Sequence, residues 1–557
     1  MSVRRRPPLA VWVLVAAVSV LTAPVASQGP PAINIADLRT WLSYLASDEL
    51  EGRATFSAGL GLAGGYIQSH LDRWGAQPAG DGGTYLQTVR VRGVRSTSRS
   101  SLTIRVGSET RTFKDVDGVT FPRNAGASRT LTVDRVEFAG YGLEAPGVGH
   151  SDFRGRRVEG AAVVFLGAGG PASLDQQVYR RLLTGRSRYA IDQLRASSAI
   201  GPQTSAGAPS RPTAGGTGGE RTTPDFTTAQ RLDLPVAPAV TVSDSTFEFL
   251  FSRAPARYAD LKRKAEARET LPSFRLDDVS VTYNLDVDYT VVRTQLTQNV
   301  VAIVPGSDPV LKDSYVAFGA HYDHVGYADA ELSTDGSRRP GAPGRVAPGE
   351  SADRIWNGAD DDGSGIVALL AMARAAAEGP RPRRSLLFVW HAGEERGLWG
   401  SRYFADHPAV PMDRIVAQLN VDMIGRNRDD KASEANTVYL VGSDRISSEL
   451  HDISRAANRS LAQPLTLDYE MNDPADLEQI YFRSDHYSYA LKGVPVIFFT
   501  TGLHPDYHAN TDHVSKIEFE KLARVTRLVY ETGLRLANRE QAPAKDYLGP
   551  RAGKGAS

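Results

Sequence analysis

The sequence contains no cysteine. A disulfide framework, a thiolate nucleophile and a Cys-based zinc site are therefore excluded, and any zinc must be held by His, Asp and Glu. An excess of charge of one sign is also lacking, since Lys+Arg and Asp+Glu both number 64. That removes the electrostatic case for binding nucleic acid or an anionic surface. Apolar runs long enough to span a bilayer are missing too. The one pronounced run, residues 9–21, falls short of the ~20 residues a spanning helix needs. It follows Arg4-Arg5-Arg6 and precedes Val25-Ala26-Ser27, the three-part pattern of a secretory signal cleaved before Gln28. The sequence thus predicts a signal peptide over 1–27, no stable membrane insertion after cleavage, and a periplasmic or extracellular location. Several catalytic signatures are absent as well. There is no H-E-x-x-H helix, no G-x-S-x-G elbow and no phosphate-binding loop ending in Lys-Ser/Thr.

What is present falls into pieces. Residues 28–100 look helical and globular, with Leu38, Trp41, Leu42 and Leu45 at helical spacing and the pattern repeated over 60–74. Residues 101–285 read as short β-like runs between Gly-rich turns, an inserted and mainly-β unit. Within it, 196–228 is dominated by Ser, Gly, Ala, Pro and Thr and is expected to be disordered. From 286 to 538 strands and helices alternate, with strands expected at 300–304, 316–318, 386–390, 415–421, 438–441 and 494–499. This is the pattern of an α/β layer fold. A last helix is expected to open on a capping box of Ser515 and Glu518, and the tail 539–557 to be disordered.

The chemistry concentrates in 357–395. Asp360, Asp361 and Asp362 precede an apolar helix, and the buried run 386–390 ends in His391-Ala-Gly and the pair Glu394-Glu395. Ligands gather beyond the carboxyl ends of strands in such units, and like charges placed together repel unless a cation holds them. A calcium loop does not fit: with Gly363 as its turn glycine, the terminal ligand positions fall on Gly358 and Leu369, neither a carboxylate. Three more strand ends carry metal-capable residues: His321-Tyr-Asp323-His324, Asn420-Val-Asp422, and Tyr507-His508 with Asp512. Asp422 sits inside an apolar run, where a buried charge needs a partner.

The set HYDH, NGADDDGSG, HAGEERGLWGS, NVDMIG, RSDHYSY and YHANTDH, in this order over about 298–538, resembles the co-catalytic dizinc exopeptidases of clan MH. These include bacterial leucyl aminopeptidases and the glutamate carboxypeptidases. The segment ASDELEGR, residues 46–53, looks like the start of many members, and residues 137–142 and 157–164 are similar to a protease-associated domain inserted before the core. The resemblance implies a mixed β-sheet flanked by helices, the zinc aminopeptidase (phosphorylase-like) fold, carrying a PA-like insert.

It also implies two Zn²⁺ ions, replaceable by Co²⁺. His321 and Asp422 would hold one and Glu395 and His508 the other, with Asp361 bridging. Glu394 would be the general base. Asp323 and Asp512 would orient His321 and His508, with Asp362 beside them in the surrounding shell, and the Asp361–Asp362 peptide would be cis. Tyr507 and Arg483 would hold the scissile carbonyl oxygen or the product. His324, His391 and His486 are read as structural or pocket-lining. The stretch of 39 residues between His321 and Asp361 is longer than is usual in the family.

A peptide is the expected substrate, the oligomeric state is left open, and aminopeptidase action is favoured. A free amine is met by carboxylates such as Glu394, Asp422 and Asp485, whereas a free carboxylate calls for clustered Arg or Lys. The alternatives are a glutamate-carboxypeptidase-like enzyme, a deacylase or aminoacyl cyclase, and a catalytically inactive binding protein on the same fold.

Overall fold

The computed structural model describes residues 33–203, 231–329, 342–474 and 476–548. The expected signal peptide and most of the segment expected to be disordered lie outside these residues.

Apolar alternation on both faces builds the main sheet. Its strands in chain order are β1 (Gln77–Pro78), β2 (Leu86–Ser98), β3 (Val287–Val304), β4 (Tyr315–His321), β5 (Ser385–His391), β6 (Ile415–Val421), β7 (Thr437–Val441), β8 (Thr466–Asp468) and β9 (Val496–Thr500). Across the sheet they run β1-β3-β5-β4-β6-β9-β7-β8, and β2 also pairs with β3. Neighbours β5, β4, β6 and β9 are parallel, with His321 opposite His391 and Gly319 opposite Asn420. Their carboxyl ends therefore open at one edge, where crossover connections carry the loops. β3 pairs antiparallel with β5, and β7 with β9, which makes the sheet mixed.

Side chains alternate across β4 and β5. Val316, Phe318, Leu386, Phe388 and Trp390 face one core, and Ala317, Leu387 and Val389 the other. The first core is closed by α1 (Ile35–Leu45), α2 (Ala58–Arg73), α3 (Gly365–Glu378), α5 (Ser448–Ser460) and α6 (Phe519–Asn538); α4 (Trp399–Asp406) covers the other face. Asn34 and Ser57 cap α1 and α2 through their side-chain oxygens. Helix α3 is apolar nearly all round and accordingly buried along most of its length. The expected box at Ser515 does not form. Residues Val514–Lys516 make a separate tight turn, and α6 starts at Phe519 without a side-chain cap. Among the described residues, no helix is long and apolar enough to cross a membrane.

The long antiparallel pair β2–β3, which runs from Leu86–Val300 to Ser98–Val287 with a register shift between Val291 and Arg293, carries the chain out of this sheet. Between its far ends lies a separate ten-stranded sheet with its own core. One of its parallel strands, Ser198–Pro202, falls in the segment expected to be disordered. Composition suggested nothing to bury, but small residues are what this strand requires. A Cβ on Gly201 would lie 2.6 Å from the Phe165 ring, and Tyr283 Oη donates to Ser198 Oγ at 2.9 Å. Residues 539–548 of the expected disordered tail are likewise held. Arg539 pairs with Glu449 at 2.6 Å, Glu540 O accepts from Arg384 at 2.8 Å, and Tyr547 N donates to Ile446 O at 3.1 Å.

Two glycines in helices separate packing from propensity. Replacing a mid-helix Gly by Ala ordinarily stabilises by about 0.5–1 kcal/mol. Gly65 in α2 has open space at its Cβ position, whereas a Cβ on Gly533 in α6 would sit 2.2 Å from the Phe318 ring. In denaturant unfolding, Gly65→Ala is expected to stabilise and Gly533→Ala to destabilise by about 1–3 kcal/mol.

Candidate metal centre

Each of the parallel strands delivers its polar residue at the open edge. His321 ends β4, Asp422 follows β6, Glu394 and Glu395 follow β5, and Tyr507 and His508 lie on the loop after β9. The loop before α3 brings Asp361 to the centre, and its peptide to Asp362 is cis. His321 Nε2 lies 3.2 Å from Asp361 Oδ1 and 3.7 Å from Asp422 Oδ2. His508 Nε2 lies 3.0 Å from both Asp361 Oδ2 and Glu395 Oε2. Asp361 thus faces both imidazoles with different oxygens. Among the described residues, two sets of donor atoms are close enough to share an ion: His321, Asp361 and Asp422, and His324, Asp361 and Glu395.

The surrounding carboxylates are held by the backbone. Asp362 accepts from the N–H groups of His321, Gly365 and Met423 at 3.1, 3.0 and 3.2 Å, so one side chain pins three ligand-bearing segments. Asp323 presents its carbonyl to His321 Nδ1 at 3.0 Å, while its carboxylate accepts from Thr55 Oγ1 and Glu394 N. Asp512 does not orient His508. Its oxygens accept from Asp360 N at 2.9 and 3.1 Å and from Asp361 N at 3.1 Å, so it braces the aspartate run. Closeness in sequence to His508 suggested otherwise; the turn at Ala509–Thr511 points the carboxylate back beneath the loop. Asp422 accepts from Ser484 Oγ at 2.7 Å.

Sequence reasoning gave no role to Arg53, His504 or Arg345, and read the long loop that includes Arg345 only as a lid or rim of the site. Arg53 is fully buried and donates to Tyr322 O at 3.2 Å, Asn357 O at 2.8 Å, Gly358 O at 2.9 Å and also to Leu45 O. Burial lowers its guanidinium to about 10, against the pull of Asp512, Asp361, Asp362 and Asp323. Its signal in the sequence was the segment 46–53, whose similarity named no role for the arginine. His504 stands 3.2 Å from Asp360 Oδ2, inside the segment GLHPDY. The stretch 342–356 straps the loop after β9. Arg345 donates to Tyr507 O at 2.6 and 3.1 Å and to Pro505 O at 2.6 Å, and its own N–H donates to His508 O at 2.7 Å.

The electrostatics call for positive charge. Burial would lower the His508 imidazole, yet Glu395 and Asp361 overcome it and hold it at about 12. Burial raises the Glu394 carboxyl well above its ordinary range; His321 opposes this, and Glu395, Asp422 and Asp485 add to it. Asp361 Oδ2, Glu395 Oε1 and His324 Nδ1 are buried without a hydrogen-bond partner, a costly condition in a native interior. Divalent cations at this cluster would satisfy these atoms, so the donor set fits zinc held by nitrogen and oxygen.

A cleft opens over the cluster, lined by His321, Asp361, Glu394, Asp422, Arg483, Tyr507 and His508. Arg483 donates to Tyr507 Oη at 3.0 Å and to Glu478 Oε2 at 2.8 Å. Asp485 is not in the cleft. It lies wholly buried beneath it, 3.4 Å from His391 Nδ1. His391 and His486 are buried too, the first against Tyr489 Oη and the second stacked on Phe498.

Residues 299–533 match the family model described as Peptidase family M28. The chain is similar to a probable leucine aminopeptidase of Trichophyton verrucosum, 26% identical over 298 residues, which cover 52% of this chain and 71% of that protein. Leucine aminopeptidase 1 of Trichophyton equinum is 26% identical over 248 residues, 43% of this chain and 58% of that one. Among solved structures, an aminopeptidase from Aneurinibacillus sp. strain AM-1 aligns with a TM-score of 0.42 at 18% identity, covering 94% of this chain and 97% of that one.

The strap yields a local test. Arg345→Ala is expected to raise amide exchange at 507–510 by about tenfold, as charge-assisted hydrogen bonds are lost, with strand protection unchanged. Arg345→Lys should not restore protection, because an ammonium lacks the guanidinium fork that spans two carbonyls. Unchanged exchange in Arg345→Ala would show the strap to be idle.

Proposed function

We propose that this protein is an exported, zinc-dependent aminopeptidase that removes N-terminal residues from peptides, using two ions and Glu394 as general base. The observation that carries the direction of attack is the charge of the cleft. Glu394, Asp422 and Asp361 line it, and among the described residues Arg483 is the one Lys or Arg in the lining. That guanidinium is already engaged by Glu478 and Tyr507. A substrate's ammonium finds carboxylates here, whereas a substrate's carboxylate would find no free basic pair among the described lining residues. Met423, Met471, Ile480, Phe498 and Leu503 form an apolar wall beside the carboxylates. A leucine-like side chain suits that wall, in keeping with the names of the curated relatives. Export rests on the N-terminal pattern of the sequence, and the unit 101–285 is read as a PA-like insert on its sequence similarity.

Asp361 would face both ions, with His321 and Asp422 at one and Glu395 and His508 at the other. Zinc supplies Lewis acidity, which acidifies water and polarises a carbonyl. The chain's own groups do the rest. Glu394, its proton affinity raised by burial, takes a proton from the attacking water and delivers it to the leaving amine. The Tyr507 hydroxyl, oriented by Arg483, donates to the carbonyl oxygen as negative charge develops there.

A leucyl anilide with a free amine is expected to be cleaved and its acetylated form left intact. A chelator should abolish the activity, and Zn²⁺ or Co²⁺ should restore it. Preferential cleavage of an N-acetylated peptide with a free C-terminus would replace this reading by a carboxypeptidase. Separately, Glu394→Gln should lower kcat by about 100- to 10,000-fold while bound zinc stays near wild type. Loss of zinc with a modest loss of rate would exchange the roles of Glu394 and Glu395.

A further inference from the structure

His324 was read from sequence as a bystander, but its ring occupies a ligand's position. Its Nδ1 lies 2.9 Å from Glu395 Oε1 and 3.9 Å from Asp361 Oδ2. Although this contact is short, it makes no hydrogen bond, and Nδ1, Asp361 Oδ2 and Glu395 Oε1 are all buried without a partner. Three orphaned donor atoms therefore converge on one point. His508 Nε2 closes the group from the other side, 3.0 Å from Asp361 Oδ2 and Glu395 Oε2.

The ring is also built into place. His324 is 1% exposed, and its backbone N–H donates to Arg53 O at 3.1 Å. Gly358 packs beneath it in a left-handed conformation (φ +56°), where a Cβ would meet the His324 ring at 2.6 Å. The Gly358 carbonyl is in turn held by Arg53 at 2.9 Å. The ring is confined closely, both its nitrogens lack a hydrogen-bond partner, and Nδ1 faces the Asp361 and Glu395 oxygens.

We propose that His324 is a direct ligand of the cation held by Glu395 and His508. This rests on the two-ion reading above and extends it. That ion then has four protein ligands, His324, Asp361, Glu395 and His508, whereas the ion at His321, Asp361 and Asp422 has three. A site filled by four protein ligands is the closed, structural kind, and a site with three keeps a position open for substrate or water. The two ions are thus unequal: one is retained tightly and organises the His508 loop, and the other exchanges readily.

The test uses the full-length chain loaded with Zn²⁺ and exposed to a chelator, with bound metal followed over time. Wild type is expected to hold two ions and to release them in two phases of very different rate. His324→Ala should accelerate the slow phase by more than the roughly 10–100-fold typical of losing an outer-shell partner. His324→Gln, which can still donate a hydrogen bond to Glu395, should be equally leaky. Retention of slow release in His324→Gln would make the residue a positioning partner of Glu395 and overturn the proposal. An independent reading uses wild type alone. With a single Co²⁺ in the slow site, two strongly shifted, exchangeable imidazole N–H proton signals are expected, from His324 and His508; one signal would overturn it. Wild type that holds two ions, with both variants unchanged, refutes the ligand assignment alone. Wild type that holds fewer than two refutes the two-ion reading and this inference together.

Discussion

Buried carboxylates forced to one point are the constraint on which the rest of this structure depends. Asp323, Asp360, Asp361, Asp362, Asp512 and Glu394–Glu395 all meet at the open edge of the sheet, mostly out of contact with water. Such a group survives only if every oxygen finds a donor or a cation. The chain meets most of that demand itself. Asp362 and Asp512 take backbone N–H groups, Asp360 takes Gly425 N and faces His504, and Arg53 places a fixed positive charge behind the aspartate loop. Asp361 Oδ2 and Glu395 Oε1 remain without a donor on the side facing His324 and His508, and Asp360 Oδ2 remains so beside His504. The deficit at Asp361 and Glu395 is the one that the two facing imidazoles would share with a cation.

The fold is what makes such crowding possible. Only parallel strands bring several carboxyl ends to one edge, and β5, β4, β6 and β9 are parallel neighbours in that order. β4 ends in His321 itself, Asp422 directly follows β6 and Glu394–Glu395 closely follow β5, whereas His508 lies on the longer loop after β9. Asp361 comes from the opposite direction, on the loop before α3, whose apolar surface is fixed against β4 and β5. The strands supply rigidity where ligand geometry demands it.

Much of this was legible in the sequence because its signals are local. The runs that formed β4, β5, β6, β7 and β9 are too apolar to lie elsewhere than in a core, and the carboxylates stand directly at their ends. What escaped depends on contacts distant in sequence. The partner of Asp512 is the backbone of Asp360 and Asp361, about 150 residues earlier, and no spacing rule points there. A lone histidine such as His324 carries no pattern of its own; its meaning comes from the oxygens it faces. Strand Ser198–Pro202 escaped for the opposite reason. Its small residues resemble a linker in composition but are required by the close packing of Phe165.

The substrate-facing part of the site is built on a different principle from the ligand cluster. Tyr507 lies outside the sheet, so nothing in the strand register positions it. Its hydroxyl is held by Arg483, and its peptide carbonyl by Arg345 from the strap. Arg483 in turn leans on Glu478, which also pairs with Arg181 of the inserted unit at 3.2 Å. Catalytic donors lose effect when displaced by about 1 Å. The geometry of the cluster around Asp361 is thus set by the core of the fold, while the loop that carries both Tyr507 and His508 is held by Arg345 in the long connection after β4, and the Tyr507 hydroxyl by Arg483, which is linked to the insert through Glu478. Changes around Arg483 and Glu478 can therefore shift Tyr507 alone, whereas changes in the strap reach His508 as well.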